Sequence, residues 1–132
     1  MNRRMKRTRF AWLVIRALSE LIRYDVIHST LRVDLRPQPT GPIDRTRSPS
    51  TEWETAVCDA VVLACCLYWK PVLCLQRSVC AWRLLRARGV HARVVIGYRP
   101  VPFFSHAWVE VDGHVVNDSP VYQRRLTVLH TI

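Results

Sequence analysis

The sequence predicts an α+β fold in which N-terminal helices pack on a small antiparallel sheet. Apolar residues recur at helical spacing through roughly the first 90 residues, whereas the rest of the chain reads as short strands separated by turn residues. Helices that precede strands, rather than alternating with them, favour an antiparallel sheet over a parallel one. The chain has 132 residues, of which 49% are apolar, and this is enough for one modest core.

The N-terminal segment, residues 1–35, is basic and helical. Its apolar residues predict a helix over residues 10–33, because they recur at helical spacing: Phe10, Leu13, Val14, Ala17, Leu18, Leu21 and Ile22. This helix either docks a partner or simply covers the core. Residues 36–51, RPQPTGPIDRTRSPST, hold four of the eight prolines and are predicted to form a linker or loop.

Residues 52–132 are predicted to form the main core domain. Its first element is a helix over residues 52–69, EWETAVCDAVVLACCLYW, which is mostly apolar and carries acidic residues in its first turn. Ser50 or Thr51 is expected to cap this helix.

Two cysteines in the next helix differ in their surroundings. The helix is predicted over residues 73–88, after Pro71, with Gly89 as its C′ residue. Cys74 lies in the first turn, where the helix dipole and free backbone N–H groups favour a thiolate. It is therefore either a nucleophile or a small core residue. Cys80 lies mid-helix on a different side, and a core role is the better interpretation.

The C-terminal half reads as strands and turns. HARVVIGYR (91–99) is predicted to be a strand, PVPFFS (100–105) a loop and HAWVEV (106–111) an alternating strand. The Asp-Gly pair (112–113) is a turn signal, and HVVND (114–118) is predicted to return as a strand.

His106 is the best candidate for a base that would activate a cysteine nucleophile. It is predicted to open a strand directly after the 100–105 loop, which suits the edge of a site. For the remaining histidines a surface role is the better interpretation: His28, His91, His114 and His130. A simple surface-strand histidine is the alternative for His106 as well.

The register of the following hairpin decides which side chain can orient His106. If residues 112–113 formed a two-residue loop, alternation along the strand would point Asp118 away from His106. A three-residue loop over residues 111–113, with a glycine bulge, places Asp118 opposite His106, with roughly 5 Å between their Cβ atoms. We therefore expect the three-residue loop, in which Asp118 orients the imidazole. The alternative role for Asp118 is to cap a turn.

The segments CLQRSVCAWRLLRARGVHARVVIGYRP and HAWVEVDGHVVND resemble the leader peptidases of lasso peptide biosynthesis, a branch of the transglutaminase-like superfamily. The resemblance covers roughly residues 55–120. It implies a papain/transglutaminase-like cysteine protease fold. It also implies that Cys74 is the nucleophile, His106 the base and Asp118 the acid that orients it, with no role for Cys80.

The resemblance further implies an activity and its partners. Such an enzyme removes the leader from a ribosomally made precursor peptide before macrocyclisation, with no metal or organic cofactor. Because only about 50 residues precede the matching region, we expect a stand-alone protease that works with a separate leader-recognition protein and possibly with the lasso cyclase. Trp108, Phe103 and Phe104 are candidates for substrate contact. Trp69 and Gln76 are candidates for the second oxyanion donor.

Charge and cysteine content leave further alternatives. The formal net charge of +10 favours an acidic partner, so a non-catalytic protein that binds acidic peptides or nucleic acid is one alternative. Another amidase or acyltransferase on the same scaffold is a second. The basic residues form no aromatic-interleaved patch, which argues against nucleic acid. Five irregularly spaced cysteines predict free thiols in the cytoplasm, and no apolar run is long enough to span a membrane.

Overall fold

The computed structural model describes residues 7–30 and 51–132, and these form three long helices packed on one face of an antiparallel sheet. The elements follow the chain in this order: α1 (Arg7–Thr30), α2 (Thr51–Leu67), α3 (Cys74–Arg86), β1 (Ala92–Pro100), β2 (Phe103–Val111), β3 (His114–Val115), α4 (Val121–Arg125) and β4 (Thr127–Thr131). The α+β prediction is confirmed. The predicted linker, residues 36–51, lies almost wholly outside the described residues.

Helix α1 is part of the core. It begins three residues before its predicted start, and its predicted end, residues 31–33, lies outside the described residues. One of its faces is buried against α2 and α3 through Leu13, Val14, Ala17 and Leu21. The helix therefore covers the core, as one of the two sequence interpretations holds. No helix among the described residues is long and apolar enough to cross a membrane.

Helix α3 runs antiparallel to α1. The Gln76 amide donates to the Leu21 carbonyl (3.2 Å) and the Cys80 thiol donates to the Ala17 carbonyl (3.5 Å), so the start of α3 lies beside the end of α1. Because α3 is 13 residues long and rises about 1.5 Å per residue, its two ends lie about 20 Å apart.

The connection between α2 and α3 is tied to α1. Helix α2 ends at Leu67, two residues earlier than predicted, and a bend follows. From this bend, the Tyr68 hydroxyl donates to the Asp25 carboxylate and the Lys70 ammonium lies 2.7 Å from it. Burial acts to raise the pKa of Asp25, but these two partners hold it below its usual value. An ionised carboxylate on α1 thus fixes the residues that lead into α3.

Gly89 follows the end of α3, as predicted, but it lies one residue further from the helix than expected. It has φ of 79°, a conformation that costs glycine little, and it lies two residues after the C-cap Ala87 rather than one. The Val90 N–H then donates to the Leu85 carbonyl (3.2 Å), which closes the helix end.

The sheet has the strand order β3-β2-β1-β4, with every neighbouring pair antiparallel. The prediction of a loop over residues 100–105 is wrong. Strand β1 continues to Pro100, which pairs with Phe103, so only residues 101–102 form the turn. Pro102 lies in this tight turn and Pro100 is the last residue of β1. A missing backbone N–H is tolerated at both positions. His106 consequently lies within β2 rather than at its start.

Both faces of the sheet are covered around the middle of β2. Val94, Val109 and Val111 face the helices, whereas Val95 and Trp108 form a second cluster with Leu126. Residues 107–111 are therefore all buried, and the predicted alternation of buried and exposed positions is absent. Helix α4, which helps to cover the second face, and the edge strand β4 were not predicted from the sequence.

Candidate active site

Cys74 is the first residue of α3 and is half-buried. Residue Leu73 at the N-cap provides no side-chain acceptor, so no cap side chain occupies the backbone N–H groups of the first turn. Arg77 and Ser78 follow Cys74 by three and four residues and so lie on the same side of the helix. Both make contacts that lead directly to the candidate base and acid.

One carboxylate oxygen joins His106 to α3. The Asp118 Oδ2 atom lies 2.8 Å from His106 Nε2 and 2.7 Å from the Arg77 guanidinium. All three side chains are largely buried, with the Arg77 side chain 30% exposed and the other two less. The structure therefore brings together the predicted base and the predicted acid, and it adds a cation from the helix that begins at Cys74.

The expected hairpin register is wrong, although the expected pair still forms. Val111 pairs with His114, and both Asp112 and Gly113 have positive φ (49° and 82°), so the loop has two residues. In a continuous strand, alternation would then point Asp118 away from His106. Asp118 nevertheless contacts His106, because β3 ends at Val115 and residues 116–118 bend out of strand geometry. The period of two no longer applies at Asp118.

A polar network holds this bend against α3. The Ser78 hydroxyl donates to the Ala107 carbonyl (3.1 Å) and accepts a bond from the Asn117 amide (3.2 Å). The Asn117 carbonyl oxygen accepts the Val109 N–H (2.7 Å). The Asn117 side chain thus accepts the bond that the backbone of a neighbouring strand would otherwise accept from Val109. This contact fixes the position of the next residue, Asp118.

Asp118 is held as a carboxylate. Partial burial acts to raise its pKa, but hydrogen bonds from His106 and from the Ser119 N–H, together with the charge of Arg77, lower it below the usual value. The Ser119 bond (2.8 Å) goes to Oδ1 and leaves Oδ2 for the other two partners. Asp118 therefore does cap a turn, as the alternative interpretation held, and it contacts His106 at the same time.

Cys74 and His106 form no hydrogen bond with each other in the part of the chain that the structure describes. Catalytic hydrogen bonds in substrate-free enzymes are often long, and they tighten when substrate binds. With Nε2–H donating to Asp118, Nδ1 is the ring nitrogen left for another partner. Tyr24 of α1 also lies near Cys74: burial, then Asp25, then a charge on Cys74 raise the pKa of its phenol.

Aromatic rings pack around His106. Tyr122 of α4 lies 4.1 Å from it between ring centroids, and Phe104 lies 6.1 Å away. Phe104 shares a face of β2 with His106 and is 38% exposed, which suits contact with a substrate. Phe103 is 76% exposed but points to the opposite face, because neighbouring strand residues alternate.

The prediction that Trp108 contacts substrate is wrong for this structure, because the ring is fully buried. Its indole N–H donates to Glu110 (2.9 Å), whose carboxylate also binds Arg93 (2.8 Å) and Gln123 (3.0 Å). Glu110 is itself 3% exposed, so this network satisfies a buried charge. Trp108 therefore packs beside His106 on the same face of β2, with 6.4 Å between the ring centroids.

Two further residues of α3 are turned away from the candidate site. Cys80 is 1% exposed and burial raises its pKa strongly, so its sulfur stays a neutral thiol. Gln76 is 5% exposed and its amide is bonded to α1, which removes it as a candidate oxyanion donor. Trp69 is 79% exposed in the bend before α3 and stays a candidate by position alone.

The sequence interpretation missed Arg77, Asn117 and Tyr122. The helical spacing of Arg77 from Cys74 was a usable signal, because residues three apart share a helix face. Asn117 precedes the predicted acid and was placed only as a strand residue. No local pattern indicated Tyr122, because α4 has five residues and carries no side-chain cap.

Comparisons with known proteins show what the chain is similar to. A family model described as the transglutaminase-like superfamily matches residues 11–131. A segment of 59 residues is 46% identical to the Microcin J25-processing protein McjB of Escherichia coli, which is 45% of this chain but 28% of that protein. The match thus spans less than a third of the length of this relative. No solved structure matches the chain.

Proposed function

The chain belongs to the transglutaminase-like superfamily, and from this premise we propose that it is a cysteine peptidase that removes the leader from a lasso peptide precursor before macrocyclisation. The observation that carries the proposal is the continuous connection from the helix that begins at Cys74, through Arg77 and Asp118, to His106. The similarity to a protein named for microcin processing supports the choice of substrate.

In the proposed mechanism, His106 Nδ1 takes the proton of Cys74, and the thiolate attacks the carbonyl carbon at the leader–core junction. The Cys74 N–H donates to the oxyanion that forms. The imidazolium then protonates the departing core amine as the C–N bond breaks, which leaves the leader as a thioester on Cys74. Water, activated by His106, hydrolyses the thioester and restores the thiol.

Asp118 has an electrostatic role in this scheme. Its carboxylate accepts Nε2–H, which fixes the tautomer of His106 and stabilises the imidazolium after proton transfer. Because the pKa of Asp118 is held low, it stays ionised through the neutral range in which such a cycle runs.

Two cysteine variants test the proposal. We expect Cys74→Ala to abolish cleavage of the precursor, as judged by mass spectrometry of the leader and core products. We expect Cys80→Ala, at a buried position of the same helix, to keep cleavage within a few-fold of the wild-type rate.

Cleavage by Cys74→Ala at the normal rate would contradict the proposal. A cross-linked product in place of free leader and core would instead indicate an acyltransferase on the same scaffold. Circular dichroism of both variants checks that they are folded, since Cys80→Ala removes a buried sulfur.

A further inference from the structure

A cleft of about 590 Å³ lies at the end of the helical layer opposite Cys74. It is lined by Thr8, Arg9 and Trp12 of α1, by Trp53 of α2 and by Arg88 just beyond α3. Because α3 runs from Cys74 toward Arg88, the two places are separated by 14 residues, or about 20 Å along the helix. The cleft therefore lies apart from the candidate active site.

The lining combines aromatic faces with cations. The Arg88 guanidinium lies 4.5 Å from the centre of the Trp53 ring, and the Arg16 guanidinium lies 5.0 Å from that of Trp12. Trp12 is 46% exposed, on a chain with a net charge of +10. Such a surface attracts a ligand that carries both a carboxylate and an apolar side chain.

We propose that this cleft binds an acidic segment of the leader that carries a bulky apolar side chain, while the leader–core junction lies at Cys74. The inference rests on the proposed function. An extended peptide advances about 3.3 Å per residue, so the segment lies six or more residues before the scissile bond. The leader is the occupant, because it stays on Cys74 as the thioester while the core amine departs.

The test compares two substrates and two variants. The substrates are the cognate precursor and a truncated form that keeps four residues before the cleavage site. The cleft variant is Trp12→Ala with Arg88→Gln, and Arg125→Gln on the exposed surface of α4 is the matched control. KM and kcat are measured for each combination, and thermal denaturation checks that every variant is folded.

We expect the cleft variant to raise KM for the full precursor at least tenfold with kcat unchanged, and to leave the kinetics of the truncated substrate as in wild type. The control should match wild type on both substrates. An unchanged KM for the full precursor would overturn the inference. An equal loss on both substrates would also overturn it, because the cleft residues would then only support the fold.

Binding measurements separate this inference from the proposed function. Fluorescence anisotropy of a labelled leader peptide, without any partner protein, should show binding that the cleft variant weakens and the control does not, even if no peptide is cleaved. Binding of the leader that is unaffected by the cleft variant would overturn the inference. The inference would also be overturned if Trp12 and Arg88 were needed only for binding a labelled single-stranded oligonucleotide. It would likewise be overturned if they affected leader binding only when the recognition protein is present.

Discussion

At the scale of single residues, the candidate site depends on a shared oxygen. Asp118 Oδ2 accepts from both His106 and Arg77, so the ring and the guanidinium stabilise the same charge from two sides. Charge-assisted bonds of this kind are short and directional. Arg77 is thus a positioning residue: it acts on His106 through Asp118 and contacts neither substrate nor nucleophile in the proposed mechanism.

Replacing Arg77 should change the pH profile of cleavage as well as its rate. We expect Arg77→Gln to lower kcat roughly tenfold to a hundredfold, at the lower end of what misplaced acid–base groups cost. The acidic limb of the profile should move to higher pH, because the charge of Arg77 helps to hold the pKa of Asp118 down and its loss lets that pKa rise. The measurement is kcat against pH between about 3 and 9.

The variant Arg77→Lys provides the comparison. It keeps the positive charge but loses the planar fork, so we expect a lower rate with the acidic limb in its wild-type position. If Arg77→Gln lowered the rate without moving either limb, the role of Arg77 would be structural only.

At the scale of elements, the β1–β2 hairpin positions the candidate base, His106, by allowing a close approach of side chain to backbone. A Cβ atom added at Gly97 would lie 2.6 Å from the Trp108 ring and 2.9 Å from the Leu126 side chain. Gly97 pairs directly with His106 across the strands. The glycine therefore lets Trp108 lie flat over β1, and Trp108 in turn supports the face of β2 from which His106 projects.

A methyl group at Gly97 should disturb both stability and activity. We expect Gly97→Ala to lower the free energy of unfolding by about 1–3 kcal/mol, since the clash involves a ring packed on all sides. Cleavage should slow as well, because Trp108 cannot move without shifting its neighbour His106. Urea denaturation and precursor kinetics measure the two effects.

Gly89→Ala is the matched control for this prediction. A side chain at Gly89 is also unfavourable, because the residue has φ of 79°. However, nothing lies within 4 Å of an added Cβ, and Gly89 is at the far end of α3 from Cys74. It should lose about 1 kcal/mol of stability and no activity. Equal activity in the two variants would show that the position of Trp108 does not matter for His106.

At the scale of the whole molecule, helix α1 has one face in the core and an exposed apolar stripe on the other side. The inner face of α1 lies in the core, whereas Ile15, Ile22 and Val26 on its outer face are 64%, 52% and 54% exposed. Their spacing of seven and four residues places them on one stripe. Arg16 and Arg23 lie beside the stripe. This combination suits a partner with an apolar groove and an acidic rim, which we propose is the separate leader-recognition protein.

Acidic substitutions on the stripe should weaken the complex with that recognition protein. We expect Ile15→Asp with Ile22→Asp to raise the dissociation constant at least tenfold in calorimetry, because charges replace apolar contacts in the interface core. Val128→Asp on β4, where the side chain is 55% exposed, is the matched control. Unaltered affinity in the stripe variant would exclude α1 as the docking element.

The sequence by itself determined the order of the three long helices and the first strands, and it supplied Cys74, His106 and Asp118 as candidate catalytic residues. Helical periodicity and a glycine stop predicted α1, α2 and α3 to within a few residues, and the change to alternating strands predicted the antiparallel sheet. The position of Cys74 at a helix start was likewise readable, because a free N-terminal turn is a local property. These features depend on neighbours a few residues away.

Only the tertiary structure decided how the candidate base and acid meet. The turn type predicted for residues 111–113 was wrong, yet Asp118 reaches His106 because Asn117 and Ser78 bend the chain after β3. The burial of Trp108, the cation at Arg77 and the cover from α4 all come from residues distant in sequence. Such contacts depend on how whole elements pack, and strand periodicity stops predicting side-chain direction where the strand ends.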